Sequence, residues 1–230
     1  MLDVPVAALP AGLDGLRIAH LSDFHLGPPS RGSVAVGRAV EWVRSRRPEL
    51  VVVTGDLLSH PRARARLAEL LRGLDAYVVR GNHDVAVTRD PFSRPSELVE
   101  LPATLLTDAS TTIVLHGERI QIAGVRPSPW GDPPEPDSSA TLRILLSHYP
   151  RLRAPGFQLV LAGHMHAGQI VLPYPGGKIR FAHLRSRLTE GLYREGGVTL
   201  HVSPGLGTTF VPFRLFARPE VTELVLRRSV

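Results

Sequence analysis

The chain has no cysteine among its 230 residues. Disulfides and thiolate metal sites are therefore excluded, and any metal must use histidine, carboxylate or amide ligands. Lysine is almost missing as well: Lys178 stands alone, and the formal net charge of +6 comes from arginine. Aromatic residues make up only 6%, too few to interleave with basic residues in the stacking groove that nucleic acid calls for. No apolar run approaches the ~20 residues that cross a bilayer as a helix. Met1 to Leu13 has no basic segment followed by an apolar stretch, so it does not read as a signal peptide.

What is present is ordinary for a soluble globular chain: 43% hydrophobic and 21% charged residues. The length suits one α/β domain, 1–230, with a substantial core. Arginine favours bidentate contact with phosphate, so an anionic partner fits the charge. The densest arginines (Arg62, Arg64, Arg66 and Arg72; Arg151 and Arg153; Arg185 and Arg187) are scattered rather than one basic stripe. Nucleic acid is therefore not the expected partner.

Short apolar runs rich in Val, Ile and Leu end in polar clusters, the pattern of buried strands. Leu16 to Leu21 leads into Ser22-Asp23-Phe24-His25, and Leu50 to Val53 into Thr54-Gly55-Asp56. Ala76 to Val79 leads into Arg80-Gly81-Asn82-His83-Asp84. Leu142 to Leu146 precedes Ser147-His148, and Leu159 to Ala162 precedes Gly163-His164-Met165-His166. Between them, Val36, Val40 and Val43 share a helical face, and Pro61 opens a second helix carrying Leu67, Leu70, Leu71 and Leu74. Alternating strand and helix is the βαβ pattern of a largely parallel sheet, whose ligands gather at strand carboxyl ends. Ser128 to Ala140, with Pro129, Pro133, Pro134 and Pro136, reads as a surface loop. Gln169 to Leu172, Lys178 to Ala182, Val198 to Val202 and Val221 to Leu226 read as strands of a second sheet with more antiparallel pairing.

The clusters need one explanation. Imidazole and carboxylate together suit Zn, Mn, Fe or Ni better than Mg or Ca. Asp23 and His25, two apart on extended chain, point to one side and can reach one ion. The same holds for His164 and His166, although a turn after the strand can send them to different ions. Gly55, Gly81 and Gly163 precede candidate ligands where a sharp turn and close approach are needed. This ordered set resembles the calcineurin-like metallophosphoesterase superfamily. Leu16 to Gly27 (LRIAHLSDFHLG), Leu145 to Pro150 (LLSHYP), Leu161 to Pro173 (LAGHMHAGQIVLP) and the ending from Gly205-Leu206-Gly207 to Pro219-Glu220 resemble its bacterial YaeI/YkuE-like branch.

The resemblance implies a four-layer α/β/β/α sandwich of two mixed sheets. It implies two divalent metal ions, manganese first and Fe, Zn or Ni next. One takes Asp23, His25, Asp56 and His166; the other takes Asp56, Asn82, His148 and His164, with Asp56 bridging. It implies that His83 faces the substrate phosphate and that Asp84 orients its ring. Four positive charges against Asp23 and Asp56 leave the site at about +2, suited to a phosphoester. Two ions ~3.5–4 Å apart lower the pKa of a shared water and present hydroxide for in-line attack on phosphorus. A protonated His83, kept so by Asp84, would donate to the leaving oxygen.

The expected activity is hydrolysis of a phosphodiester or phosphomonoester, lipid-linked or small. A nuclease of the same superfamily and a non-catalytic metal-binding scaffold are the alternatives. His20, His60, His116, His183 and His201 match no motif position and read as structural or exposed; Arg80 reads as a phosphate contact or a surface ion pair. Relatives often carry glycine at Ala167 and arginine at Pro204. Phe210 to Arg218 (FVPFRLFAR) sets Phe210, Phe213 and Phe216 three apart beside Arg214 and Arg218, suited either to a membrane surface or to packing under the second sheet. The expected location is cytoplasmic or peripheral to a membrane. An N-terminal anchor of the kind many relatives carry would have ended before this chain starts.

Overall fold

The computed structural model describes residues 1–229 apart from 31, 86–89, 95–97, 99, 129–130 and 184–185, so Pro129 and Arg185 lie outside the described residues. In chain order the elements are β1 (Leu2–Val6), β2 (Arg17–Leu21), α1 (Ser33–Arg46), β3 (Leu50–Thr54), α2 (Arg64–Leu71), β4 (Tyr77–Val79) and β5 (Thr104–Leu105). They continue with β6 (Ala109–Leu115), β7 (Glu118–Gly124), β8 (Leu142–Ser147), β9 (Leu159–Ala162), β10 (Val171–Tyr174), β11 (Gly177–Arg180), β12 (Gly191–Glu195), β13 (Val198–Val202) and β14 (Thr222–Arg228).

Two six-stranded sheets result, in the orders β1-β14-β2-β3-β4-β5 and β12-β13-β9-β8-β7-β6. Both are mixed. The first is parallel except where β14 meets β2, and the second is parallel inside with antiparallel outer pairs. Strand β3 is buried along its whole length, so it needs apolar residues on both faces. Leu50 and Val52 turn toward the other sheet, while Val51 and Val53 turn toward the helices. Ile18, Ile144, Leu146, Leu159 and Leu161 fill the space between the sheets, each contributing about 1.5–3 kcal/mol by its burial. Val36, Val40 and Val43 of α1 and Leu67, Leu70 and Leu71 of α2 cover the outer face of the first sheet. Helix α1 stops at Arg47, which turns left-handed at φ 49° just before Pro48.

The sandwich of two mixed sheets is the one expected, with a particular fourth layer. Among the described residues no α-helix covers the outer face of the second sheet. Leu152, Ala154, Phe157, Met165 and Leu188, from irregular chain, pack there on Leu145, Val160 and Val202. The reading of the last strands needs correction. β14 returns to the first sheet, because Leu224 and Leu226 on one face and Val225 on the other need a slot buried on both sides. β10 and β11 form a separate two-stranded hairpin.

The sheets are also joined by a buried polar chain. Ser22 Oγ donates to the Thr54 carbonyl (3.3 Å), and Thr54 Oγ1 donates to Ser22 Oγ (2.8 Å). His20 Nε2 must then donate to Thr54 Oγ1 (2.9 Å), which leaves His20 Nδ1 to accept from His201 Nδ1 (2.8 Å). Both rings are buried and must stay neutral: burial takes His201 down to about 4 and His20 well below its usual value. Below the ordinary imidazole pKa of ~6.5 the unfolded chain takes up protons that the folded pair refuses. Stability is therefore complete above pH ~6.5 and lost as pH falls, with His201 accounting for on the order of 3 kcal/mol by pH ~4. The urea midpoint, measured with chelator present, should fall between pH 7 and 4.5, and the slope should be shallower in His201→Gln. An unchanged slope would remove the pair from this account.

Candidate metal centre

Every residue of the motif set lies just past the carboxyl end of a parallel strand: β2, β3 and β4 in one sheet, β8 and β9 in the other. The extended geometry expected for the paired ligands is not what the chain adopts. Asp23 (φ 53°), His25 (45°), Asp56 (54°), His164 (72°) and His166 (49°) are all left-handed, a conformation that costs a non-glycine residue roughly 1–2 kcal/mol. Ala167, where relatives often carry glycine, is left-handed as well. These turns survive because their neighbours hold them. Asp23 N–H donates to Gly55 O and His25 N–H to Asp56 O (both 2.9 Å). The His164 amide donates to both Asp23 carboxylate oxygens (3.1 and 3.2 Å). Gly81 and Gly163 are needed for approach: a Cβ on the first would strike Asp56, and on the second Ser22 and Asp23.

The side chains form two adjoining clusters. In the first, His25 Nε2 and His166 Nε2 lie 3.1 Å apart, with Asp23 Oδ1 3.4 Å from His166 and Asp56 Oδ2 3.4 Å from His25. In the second, His148 Nε2 lies 3.3 Å from the same Asp56 oxygen, 3.0 Å from Asn82 Oδ1 and 3.2 Å from His164 Nδ1. Asp56 Oδ2 thus stands between the clusters, while its Oδ1 accepts the His83 N–H (2.9 Å). His148 Nδ1 faces the Thr54 carbonyl (2.8 Å) and His25 Nδ1 the Ser59 hydroxyl (3.1 Å), so both rings turn Nε2 inward.

The electrostatics are those of a site short of positive charge. Burial raises Asp23 to about 6, and burial with the Asp56 charge raises Asp84 to about 7. Burial takes His25 down to about 3 and His164 to about 2, leaving lone pairs free for a cation. Burial lowers His148 too, but the Asp56 charge and hydrogen bond outweigh it and carry His148 up to about 9. Its Nε2 proton therefore sits where Asp56, Asn82 and His164 converge. In the first cluster the His166 Nε2 proton does the same. The imidazole, carboxylate and amide donors of the two clusters fit divalent transition metals.

Two assigned roles need correction. Asp84 does not hold the His83 ring. Its oxygens accept backbone N–H groups from Leu57 (3.0 and 3.2 Å), Leu58 (3.3 Å) and Gly81 (2.9 Å), clamping the Asp56 turn to the turn carrying Asn82 and His83. Nor does Asp84 set the charge of His83: burial lowers the ring's pKa, and Asp56 and Asp90 pull the other way. Its Nε2 lies 4.0 Å from Asp56 Oδ2 and its ring meets His25 edge-on at 4.6 Å. Among the unassigned histidines, His183 comes to 5.0 Å from the His164 ring, which also meets Tyr149 at 4.4 Å. Arg80 turns away to Thr107 and the Leu98 carbonyl.

The residue pattern of the calcineurin-like phosphoesterases matches residues 16–168. The chain belongs to that family. A transmembrane protein with metallophosphoesterase domain from Danio rerio is 32% identical over 99% of this chain and 57% of its own length. The uncharacterized metallophosphoesterase YkuE of Bacillus subtilis is 30% identical over 96% of the chain and 82% of its own length. Phosphodiesterase YaeI of Escherichia coli is 28% identical over 91% and 82%. The chain thus spans little more than half of the vertebrate relative and about four fifths of the bacterial ones.

One residue beside the family motifs was missed. Arg214, read only as one of two cations beside the three phenylalanines, points inward. Its guanidinium donates to the carbonyls of Gly207 (2.8 Å), Pro204 (2.9 Å) and His166 (3.1 Å), and to His166 Nδ1 (3.0 Å). Burial lowers it only to about 10, so it stays charged. Because a guanidinium can only donate, it is what places the His166 proton on Nε2; a cation there requires that proton to move and Arg214 to give way at Nδ1. The available signal was a lone arginine inside an apolar run, which buries only when fully partnered. Arg214→Ala should cost about 2–4 kcal/mol by stranding buried carbonyls, seen as a lower thermal midpoint that Arg214→Lys does not restore. A midpoint equal to that of the unsubstituted protein would contradict this.

Proposed function

We propose that the protein hydrolyses phosphoesters, with one divalent cation held by Asp23, His25, Asp56 and His166 and a second by Asp56, Asn82, His148 and His164. The observation that carries this reading is the single Asp56 oxygen within 3.3–3.4 Å of a ring nitrogen in each cluster. Two such cations, manganese by preference, would neutralise phosphate charge and lower the pKa of water between them.

The chain's own groups have distinct tasks. Asp56 brings the two clusters together, and Asp84 ties the backbone that follows it to the Gly81 turn. His83, lying over the Asp56 side of the first cluster, supplies a ring N–H to the phosphoryl or leaving oxygen. Phe210, Phe213 and Phe216 are 47%, 53% and 66% exposed rather than packed under the second sheet. That favours contact of this rim with a membrane surface. No helix among the described residues is long and apolar enough to cross a membrane.

Hydrolysis of bis-p-nitrophenyl phosphate should require Mn²⁺, stop with chelator, and disappear in Asp56→Asn together with bound metal; activity that persists through chelation would sink the metal reading. His83→Ala should keep its metal yet lose roughly 10²-fold or more on esters with poor leaving groups, and less on p-nitrophenyl esters. An equal loss on both would assign His83 to phosphate positioning alone. For the rim, co-sedimentation with anionic vesicles at low salt should fall in a folded Phe213→Ser/Phe216→Ser variant. Unchanged sedimentation, or none from the start, would exclude membrane contact there.

A further inference from the structure

The turn that carries His166 is also one wall of an open-mouthed trough of about 250 Å³. Ile170, Phe181, Ala182, Phe210 and Val211 line most of it. Its inner end lies at the metal centre: His166 is in its wall, and so is His183, whose ring stands 5.0 Å from that of His164. Whole small-molecule sites run to ~300–1,000 Å³, so a trough of this size suits one arm of a ligand.

Gln169 and Thr209 also line the trough, and their polar groups are spent on hydrogen bonds within its walls. The Gln169 side-chain amide donates to the Thr209 (2.7 Å) and Val211 (3.2 Å) carbonyls and accepts the Thr209 N–H (2.9 Å). Asp90 accepts from the Phe210 N–H and the Thr209 hydroxyl, both at 3.1 Å. On the other side, Phe181 N–H donates to Ile170 O (2.9 Å). At the mouth, exposed Phe181 continues into the hairpin, where Leu172 and Ile179 stand opposite each other and are exposed as well. A mostly apolar lining therefore runs from the exposed hairpin to His166 at the clusters.

We infer that this trough receives the hydrocarbon arm of the substrate, so that the substrates are amphiphilic phosphoesters whose phosphate lies at the clusters and whose alkyl or acyl chain leaves past Phe210 and Phe181. The inference rests on the phosphoesterase reading above and narrows it. A polar arm would give up its hydration along this lining for few hydrogen bonds in return, whereas each methylene gains by leaving water. Val211 and Ala182, in the lining, are where a larger side chain would shorten the path.

The test is binding of a homologous series of n-alkylphosphonates, methyl to octyl, to the Mn²⁺-loaded protein by calorimetry, at concentrations below micelle formation. Affinity should rise roughly fourfold per methylene and then level off once the trough is filled. Ala182→Trp and Val211→Trp, each referred to its own methylphosphonate affinity, should flatten the series. A flat series in the unsubstituted protein that still binds methylphosphonate overturns the inference and leaves the phosphoesterase reading standing. A steep series kept by both tryptophan variants overturns it too, because the chain then lies elsewhere. If no phosphonate binds at all, both readings fall.

Discussion

The Asp56 carboxylate is buried to 2% exposure between two rings from different sheets, His25 and His148. A buried carboxylate is expensive unless positive charge and hydrogen-bond donors surround it, and much of the neighbouring chain meets that demand. The His83 amide reaches one oxygen, and the rings converge on the other. Gly81 leaves the space that the carboxylate occupies. Asp84, a second buried acid, is tied to three backbone amides instead, and so works on the shape of the turns rather than on the reacting centre. Two acids of one motif have thus been given different tasks by what surrounds them.

Because the donors come from both sheets, the distance between the sheets sets the geometry of the centre. Apolar packing of Ile18, Val52, Ile144 and Leu161 keeps them together without specifying how they slide. Direction comes from hydrogen bonds. The chain from His201 through His20 and Thr54 to Ser22 crosses the interface, and the Thr54 carbonyl at its end also accepts the His148 Nδ1 proton and so orients that ring. Backbone bonds from Leu206 to Ser22 (3.1 Å) and Gly207 to Asp23 (2.6 Å) then bring the C-terminal segment against the first cluster. Arg214 locks that segment to the His166 turn, and Gln169 locks the same turn to the wall of the trough. One stretch of chain thereby serves a ligand on one side and an apolar surface on the other.

Read by itself, the sequence determined which donors are available and roughly where each stands. With no cysteine, the donor set had to be imidazole, carboxylate and amide, and short Val/Ile/Leu runs ending in Asp, Asn and His placed those donors at strand ends. The spacing of Val36, Val40 and Val43 likewise marked the buried face of α1. These are local properties, settled within a few residues by the period of helix or strand. The tertiary structure decided which atoms meet. It turned the candidate ligands left-handed where an extended chain was read, because only long-range partners such as the Gly55 and Asp56 carbonyls hold such turns. It took Asp84 from the His83 ring to the amides of Leu57 and Leu58, residues far from it in the chain. It returned β14 to the first sheet and turned Arg214 inward while leaving Phe213 and Phe216 outside. An Arg beside three Phe reads the same whether the chain faces water or the core; the carbonyls that capture the guanidinium are brought to it only by the closing of the two sheets.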